Sequence, residues 1–162
     1  MDREQFVAII SGEQKKLRRF LLALCCGNYE QADDIAQDTM VKAYLSCDKY
    51  QDRGLFKSWL YKIAYNTFLD YKKTSHNYHS LDECTHISDS TYEADRTFRY
   101  QSLYDALNLL PPKERYVILL FYMKGYQVKE ICKIVSCGEA AVKKQLSRGR
   151  EHLKHLLEYG ER

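Results

Sequence analysis

The sequence predicts an all-α fold of two small helical domains joined by a flexible linker, on three observations. Apolar residues recur at steps of three, four and seven along most of the chain, the spacing of one helix face. Only 7 Gly and 2 Pro occur in 162 residues, too few turn formers for a many-stranded sandwich, and no stretch alternates as a strand does. One polar segment interrupts the helical pattern near the middle. The length allows one compact domain or two small ones.

The first helix carries Phe6, Ile9, Ile10, Leu17, Phe20, Leu21 and Leu24 on one face, and Gly27-Asn28 ends it. The second presents Ala32, Ile35, Ala36, Thr39, Met40, Ala43 and Tyr44 inward, which leaves Asp33, Asp34 and Asp38 to solvent or a partner. Cys47 to Leu55 is polar, holds a glycine and reads as a loop. Phe56, Trp59, Leu60, Ile63, Ala64, Thr67 and Tyr71 then repeat the helical spacing. From Lys73 to about Thr97 the chain is rich in Ser, Thr, His and Asp and poor in aliphatics, so 74–97 reads as a mobile linker between domains at 1–73 and 98–162.

Helical spacing resumes with Leu103, Ala106, Leu107 and Leu110. Pro111-Pro112 stops that helix, and Pro112 suits the first turn of the next. The next runs to about Lys124 with Val117, Leu120 and Phe121 inward, and Gly125 closes it. Val128 to Val135 is short, Ser136-Cys137-Gly138 is a tight turn, and Glu139 to about Glu158 is long, with Val142, Leu146, Leu153, Leu156 and Leu157 on one face. A short helix, a tight turn and a longer basic helix make the helix-turn-helix plan, with small Cys132 where the two helices cross.

Net charge is +3, but it is unevenly spread. Residues 1–73 hold 12 basic and 10 acidic side chains, 74–102 hold 2 and 5, and 103–162 hold 11 and 7. Two mildly basic blocks flanking an acidic middle suit a polyanion partner, a weak signal alone. The long last helix carries Lys143, Lys144, Gln145, Ser147, Arg148, Arg150 and Lys154. Basic groups neutralise phosphates, while Arg and Gln also pair with base edges in a major groove. Charge alone would describe an ordinary solvated face; the turn and short helix before it favour duplex binding.

Other chemistries are weaker. Asp33, Asp34 and Asp38 with Gln37 lack the partner set a metal or acid–base site needs, and a solvated or docking face accounts for them. Trp59 to Lys73 is dense in aromatics and ends in lysines, a composition that suits unstacked bases, although core packing explains Trp59, Ile63 and Ala64. Six cysteines are scattered without a C-x-x-C, so free thiols are expected. Cys132 and Cys137 with His152 and His155 miss the usual zinc spacings. No phosphate loop, nucleophile elbow or glycine-framed reactive cysteine occurs, so neither catalysis nor a cofactor or metal is expected. Met1 to Lys16 lacks a signal-peptide core, and no apolar run approaches the roughly 18 residues of a membrane span. A cytoplasmic location, with no direct membrane insertion, is expected.

Three stretches carry a more specific signal: DDIAQDTMVKAY (Asp33 to Tyr44), FKSWLYKIAYNTFLDY (Phe56 to Tyr71) and LPPKERYVILLFYMKGYQVKEICKIVSCGEAAVKKQLSRGREHL (Leu110 to Leu153). In this order, with a polar linker between, they resemble a bacterial RNA polymerase sigma factor of the extracytoplasmic-function (ECF) group. The resemblance covers both helical blocks and implies a dissociable, non-catalytic initiation factor. Its implied partners are core RNA polymerase (the largest-subunit clamp and the flap), promoter DNA, and an anti-sigma factor, free or membrane-anchored.

By the same resemblance Asp34, Gln37 and Asp38 are polymerase contacts. Asn66 matches the asparagine at a pocket for a base flipped from the minus-10 box, with Tyr61 and Asp70 assisting. Lys62, Lys72 and Lys73 would hold that strand's phosphates, and Lys143, Lys144, Gln145, Ser147 and Arg148 would read the minus-35 box as duplex. Three positions depart from the pattern. Gln145 stands where Arg is frequent, and Gly138 where Ser or Pro is common. Gly149 replaces a usual Ala, at ~1 kcal/mol if that position is exposed. The alternative reading is a free-standing helix-turn-helix regulator that binds a two-fold operator as a dimer.

Overall fold

A computed structural model describes residues 1–51, 53–76 and 94–160 of the chain, without the side chains of 75–76, 94–100 and 159–160. Seven α-helices occur among them: α1 (Arg3–Leu24), α2 (Tyr29–Ser46), α3 (Phe56–His76), α4 (Ala94–Leu109), α5 (Pro112–Tyr122), α6 (Val128–Val135) and α7 (Glu139–Gly160), with a single 3-10 turn at Cys47–Lys49. No strand occurs among the described residues. The expected linker at 74–97 is helical at both ends, because α3 runs to His76 and α4 begins at Ala94. Its middle, 77–93, lies outside the described residues.

Local chemistry sets the helix ends. Asp2 accepts the Gln5 amide at 2.8 Å while the Gln5 side chain accepts from Asp2, a capping box that starts α1. Left-handed Cys26 (φ 55°) and Gly27 (φ 87°) reverse the chain after it, and Asn28 caps α2 by accepting the Gln31 amide. The face α2 buries is Ala32, Ile35, Ala36, Thr39 and Ala43, mostly small, so α1 and α3 approach it closely. Buried Thr39 donates its hydroxyl to the Ile35 carbonyl. The loop before α3 is pinned by buried Tyr50: its hydroxyl accepts the Leu55 amide, its carbonyl accepts from the Met1 ammonium, and its ring meets Phe56 and Trp59.

In the C-terminal half α5 is the central rod. Glu114 through Leu120 are all buried, more than the inward stripe of Val117, Leu120 and Phe121 expected from periodicity, because α5 touches α1, α6 and α7 at once. Phe121 itself is only half-buried. A second capping box, Gln127 with Glu130, starts α6. Ser136 (φ 55°) ends it, and the Cys137 amide bonds back to the Cys132 carbonyl at 3.2 Å. Ile9, Tyr44 and Leu103, expected inward, lie at the surface. The Tyr44 ring still meets the Phe6 edge and lies under the Arg3 guanidinium.

The two halves share one hydrophobic core. α6 lies along α3, and α5 against α1. Tyr116 at the centre of this seam is fully buried, donates its hydroxyl to the Tyr61 carbonyl at 2.6 Å, and packs against Phe20, Tyr65 and Phe68. Arg115, 3% exposed, donates across the seam to the Leu24 carbonyl at the end of α1, and also to the Asn108 and Leu110 carbonyls at the end of α4. A cation at two helix C-termini meets the negative ends of both dipoles.

Candidate nucleic-acid interface

Three helices each present an open stripe of distinct chemistry. On α2 the exposed residues Asp34, Gln37, Asp38, Val41 and Leu45 lie opposite the buried alanine face. Steps of 3 and 4 along a 3.6-residue turn stack Asp34, Asp38, Val41 and Leu45 in one row. Val41 and Leu45 are 57% and 67% exposed, so the stripe is acidic at one end and apolar at the other. The carboxylates are legible in the sequence as a solvated face, whereas the exposure of the two aliphatics is shown by the fold. Their large size on a polar face was the available signal.

α3 has three faces. Phe56, Leu60, Ala64 and Thr67 are buried in the N-terminal bundle, and Tyr61, Tyr65 and Phe68 turn to the seam. Lys62, Asn66, Asp70 and Lys73 form the third, exposed face. Lys42 of α2 ion-pairs with the Asp70 carboxylate at 3.8 Å and donates to the Thr67 hydroxyl at 3.3 Å. Lys72 is half-buried, its ammonium 5.8 Å from the Phe68 ring centre.

Tyr61 departs from the expected site. It is 1% exposed, and its ring is held between Phe20 and Tyr126 under the Lys124 ammonium. Burial, with the nearby Tyr126 and Glu13, pushes its phenol far above the ordinary range. In this arrangement no base can reach it. The cause is tertiary: nothing in the spacing of α3 shows that a second helical unit covers that side.

On α7, Val142, Leu146 and Gly149 are buried, whereas Lys143, Lys144, Ser147, Arg148 and Arg150 are exposed. Arg150 donates to the Tyr122 hydroxyl at 3.3 Å. This basic face is open to solvent. Gln145 is set apart from it: the side chain is half-buried and its amide oxygen is buried without a hydrogen-bond partner among the described residues. It shares a flank with His152, seven residues on, whose ring meets buried Glu114 at 3.1 Å.

Gly149 is likewise not the exposed glycine expected. It is buried, and a Cβ there would come within 2.7 Å and 2.9 Å of the Ile118 side chain. Its hydrogen is what lets α5 and α7 cross closely. No disulfide joins the described cysteines. Burial raises the Cys25 thiol to about 12 and also raises Cys132, which argues against a nucleophile at either. No group of three or more metal-binding side chains assembles among the described residues, and no helix there is long and apolar enough to cross a membrane.

Two family models match the chain, Sigma-70 region 2 over residues 9–77 and Sigma-70 region 4 over residues 100–153. The first ends with α3, and the second covers α4 to most of α7. The ECF RNA polymerase sigma factor SigM of Mycobacterium tuberculosis is 28% identical over 160 residues, covering 98% of this chain and 80% of that protein. SigW of Bacillus subtilis is 27% identical, with 96% and 90% covered. The chain belongs to the ECF sigma factors. Among solved structures, the sigma factor RpoE in complex with the anti-sigma factor NepR from Bartonella quintana superposes with a TM-score of 0.80 at 25% identity, covering 96% of this chain and 98% of that one. CnrH in complex with the cytosolic domain of CnrY shares the fold, with a TM-score of 0.71 at 21% identity over 97% and 90%. As an ECF sigma factor the protein serves promoter-specific transcription initiation with RNA polymerase.

Proposed function

We propose that this sigma factor docks on the clamp of core polymerase through α2, opens the minus-10 box along α3, and reads the minus-35 box as duplex through α7. The observation that carries the reading is the set of three open stripes, each chemically suited to its own partner. The α2 stripe pairs carboxylates at Asp34 and Asp38 and the Gln37 amide with apolar Val41 and Leu45, the mixture of polar rim and desolvated centre found in protein interfaces. The α3 stripe offers the Asn66 amide for the edge of a flipped base, with Lys62 and Lys73 for phosphates and Asp70 alongside. The α7 stripe offers Lys143, Lys144, Ser147 and Arg148 to a major groove. Gln145 joins it only if its side chain swings out of its half-buried position.

An anti-sigma factor is the second partner of this reading, by analogy with the anti-sigma complexes of RpoE and CnrH. No part of the chain is assigned catalysis; the polymerase does the chemistry.

The test is reconstitution with core polymerase. The wild-type chain should co-migrate with it and support promoter-dependent initiation, selected from randomised promoters. Lys144→Ala with Arg148→Ala should weaken initiation, most at low salt, where lost phosphate contacts weigh most. Unchanged initiation by holoenzyme carrying both substitutions would falsify the role given to α7. Operator binding by a dimer without polymerase would instead support a free-standing regulator.

A further inference from the structure

Of the described cysteines, Cys25, Cys26 and Cys47 are buried, whereas Cys132 and Cys137 are partly exposed. These two frame the turn between α6 and α7. Ser136 takes the left-handed conformation there, and the amides of Ser136 and Cys137 both donate to the Cys132 carbonyl. In a helix end of this kind the side chain four positions before the left-handed residue packs on the one just after it, and those side chains are Cys132 and Cys137. The amide–carbonyl bond between them, 3.2 Å long, holds their α-carbons within the roughly 4–7 Å that a disulfide spans. The Cys137 thiol lies 3.6 Å from the Val135 carbonyl, so bonding to Cys132 requires it to turn away from that oxygen. The Cys132 thiol in turn feels the charges of Glu139 and Lys143 on the first turns of α7. The pair therefore adjoins the exposed basic face.

We propose that Cys132 and Cys137 are a peroxide-sensitive dithiol, whose disulfide staples the turn of the helix-turn-helix and weakens duplex reading by α7. Cys137 reacts first with hydrogen peroxide: its sulfur bonds one oxygen, the O–O bond breaks, and the departing hydroxide takes a proton to become water. The Cys132 sulfur then attacks the sulfenic sulfur, the S–O bond breaks, and a second hydroxide leaves as water. The thiols together lose two electrons and two protons, and one peroxide becomes two waters. Burial slows the ionisation of Cys132, and proximity to the waiting sulfur offsets that. Drawing Cys137 onto Cys132 re-aims the residues that lead into α7, and with them Lys143 against the groove. The disulfide stands on the turn geometry; only its consequence for DNA rests on the reading of α7 as the duplex-reading helix.

The experiment uses the full chain with Cys84→Ser, which removes the cysteine that lies outside the described residues. Peroxide treatment, alkylation and tryptic digestion should yield Glu130–Lys133 joined to Ile134–Lys143, two hydrogens lighter than the sum of the thiol peptides, and dithiothreitol should part them. Cys132→Ser and Cys137→Ser should each abolish the joined pair at unchanged helical circular dichroism, with Cys132→Ala and Cys137→Ala as the second set. For binding, the chain is oxidised and freed of peroxide before core polymerase is added. Holoenzyme with the oxidised chain should bind a duplex promoter, selected in the reconstitution, about tenfold less tightly, the worth of one groove contact. Dithiothreitol should restore the affinity, and holoenzyme with Cys137→Ser should bind equally after either treatment.

Absence of the joined peptides, or linkage of Cys137 to a different cysteine, overturns the dithiol. A linked chain that binds the duplex as tightly as the reduced one overturns the effect on reading, as does an equal loss in the Cys137→Ser variant. Failure of reduced holoenzyme to initiate in the separate reconstitution strikes the proposed function and leaves the dithiol standing, because the peptide test needs no polymerase.

Discussion

Gly149 illustrates how one atom sets the distance between two helices. The Ile118 side chain occupies the space its Cβ would need, so Gly149→Ala gains about 1 kcal/mol of helix propensity and loses about 1–3 kcal/mol to overpacking. The net expectation is destabilisation. In an Ile118→Ala background the overpacking disappears and the same substitution should stabilise. A double-mutant cycle in urea, read as a coupling free energy, checks this, and additive effects would show that α5 and α7 do not meet at this pair. Tyr61 teaches a complementary lesson. An aromatic beside an amide and lysines reads as a base-stacking group from sequence, and the fold instead makes it a buried wall.

At the scale of the element, each exposed stripe has its own signature. Val41→Asp should leave the helical signal of α2 intact, because Val41 is 57% exposed. It should weaken association with core polymerase about tenfold, since placing a charge in a desolvated contact costs of the order of 1–2 kcal/mol; competition with labelled wild type for core polymerase measures it. On α7 the expected effect is electrostatic. Lys144→Ala and Arg148→Ala should each reduce the dependence of log affinity on log salt by about one phosphate contact, read from holoenzyme binding to a promoter duplex at several salt concentrations. An equal loss of affinity at all salt concentrations would mean these residues act by packing, which their exposure contradicts.

Across the whole molecule, the shared core predicts one cooperative unfolding transition in place of two. It also sets an alkaline limit. Burial raises the phenols of Tyr61 and Tyr116 well above the ordinary 10.0, that of Tyr65 above it, and that of Tyr126 to about 12. Below about pH 9 the folded and unfolded phenols are both almost wholly protonated, and the stability is intact. Above it the unfolded chain releases protons the folded chain keeps, so stability falls as pH rises through 10 toward 12 and beyond. The urea midpoint should therefore drop between about pH 9 and pH 11, with the tyrosinate absorbance of these four phenols appearing on unfolding. Tyr116→Phe should flatten part of that drop.

The sequence by itself determined the helices, their order and the family. Apolar spacing, Gly27-Asn28 and Pro111-Pro112 as breaks, and three ordered motifs are local signals, each carried by residues a few positions apart. It also showed the solvated carboxylates of α2 and the basic face of α7, because a polar residue opposite an apolar stripe is exposed whatever the stripe packs on. Only the tertiary structure decided that the two halves share a core, that α5 is buried all round, that Tyr61 is walled in, and that Gly149 is a contact and not a gap. Those facts join residues up to 91 positions apart, as Arg115 and Leu24 are. Periodicity records which side of a helix is covered by its own bundle, and carries nothing about a second body that arrives from the other side.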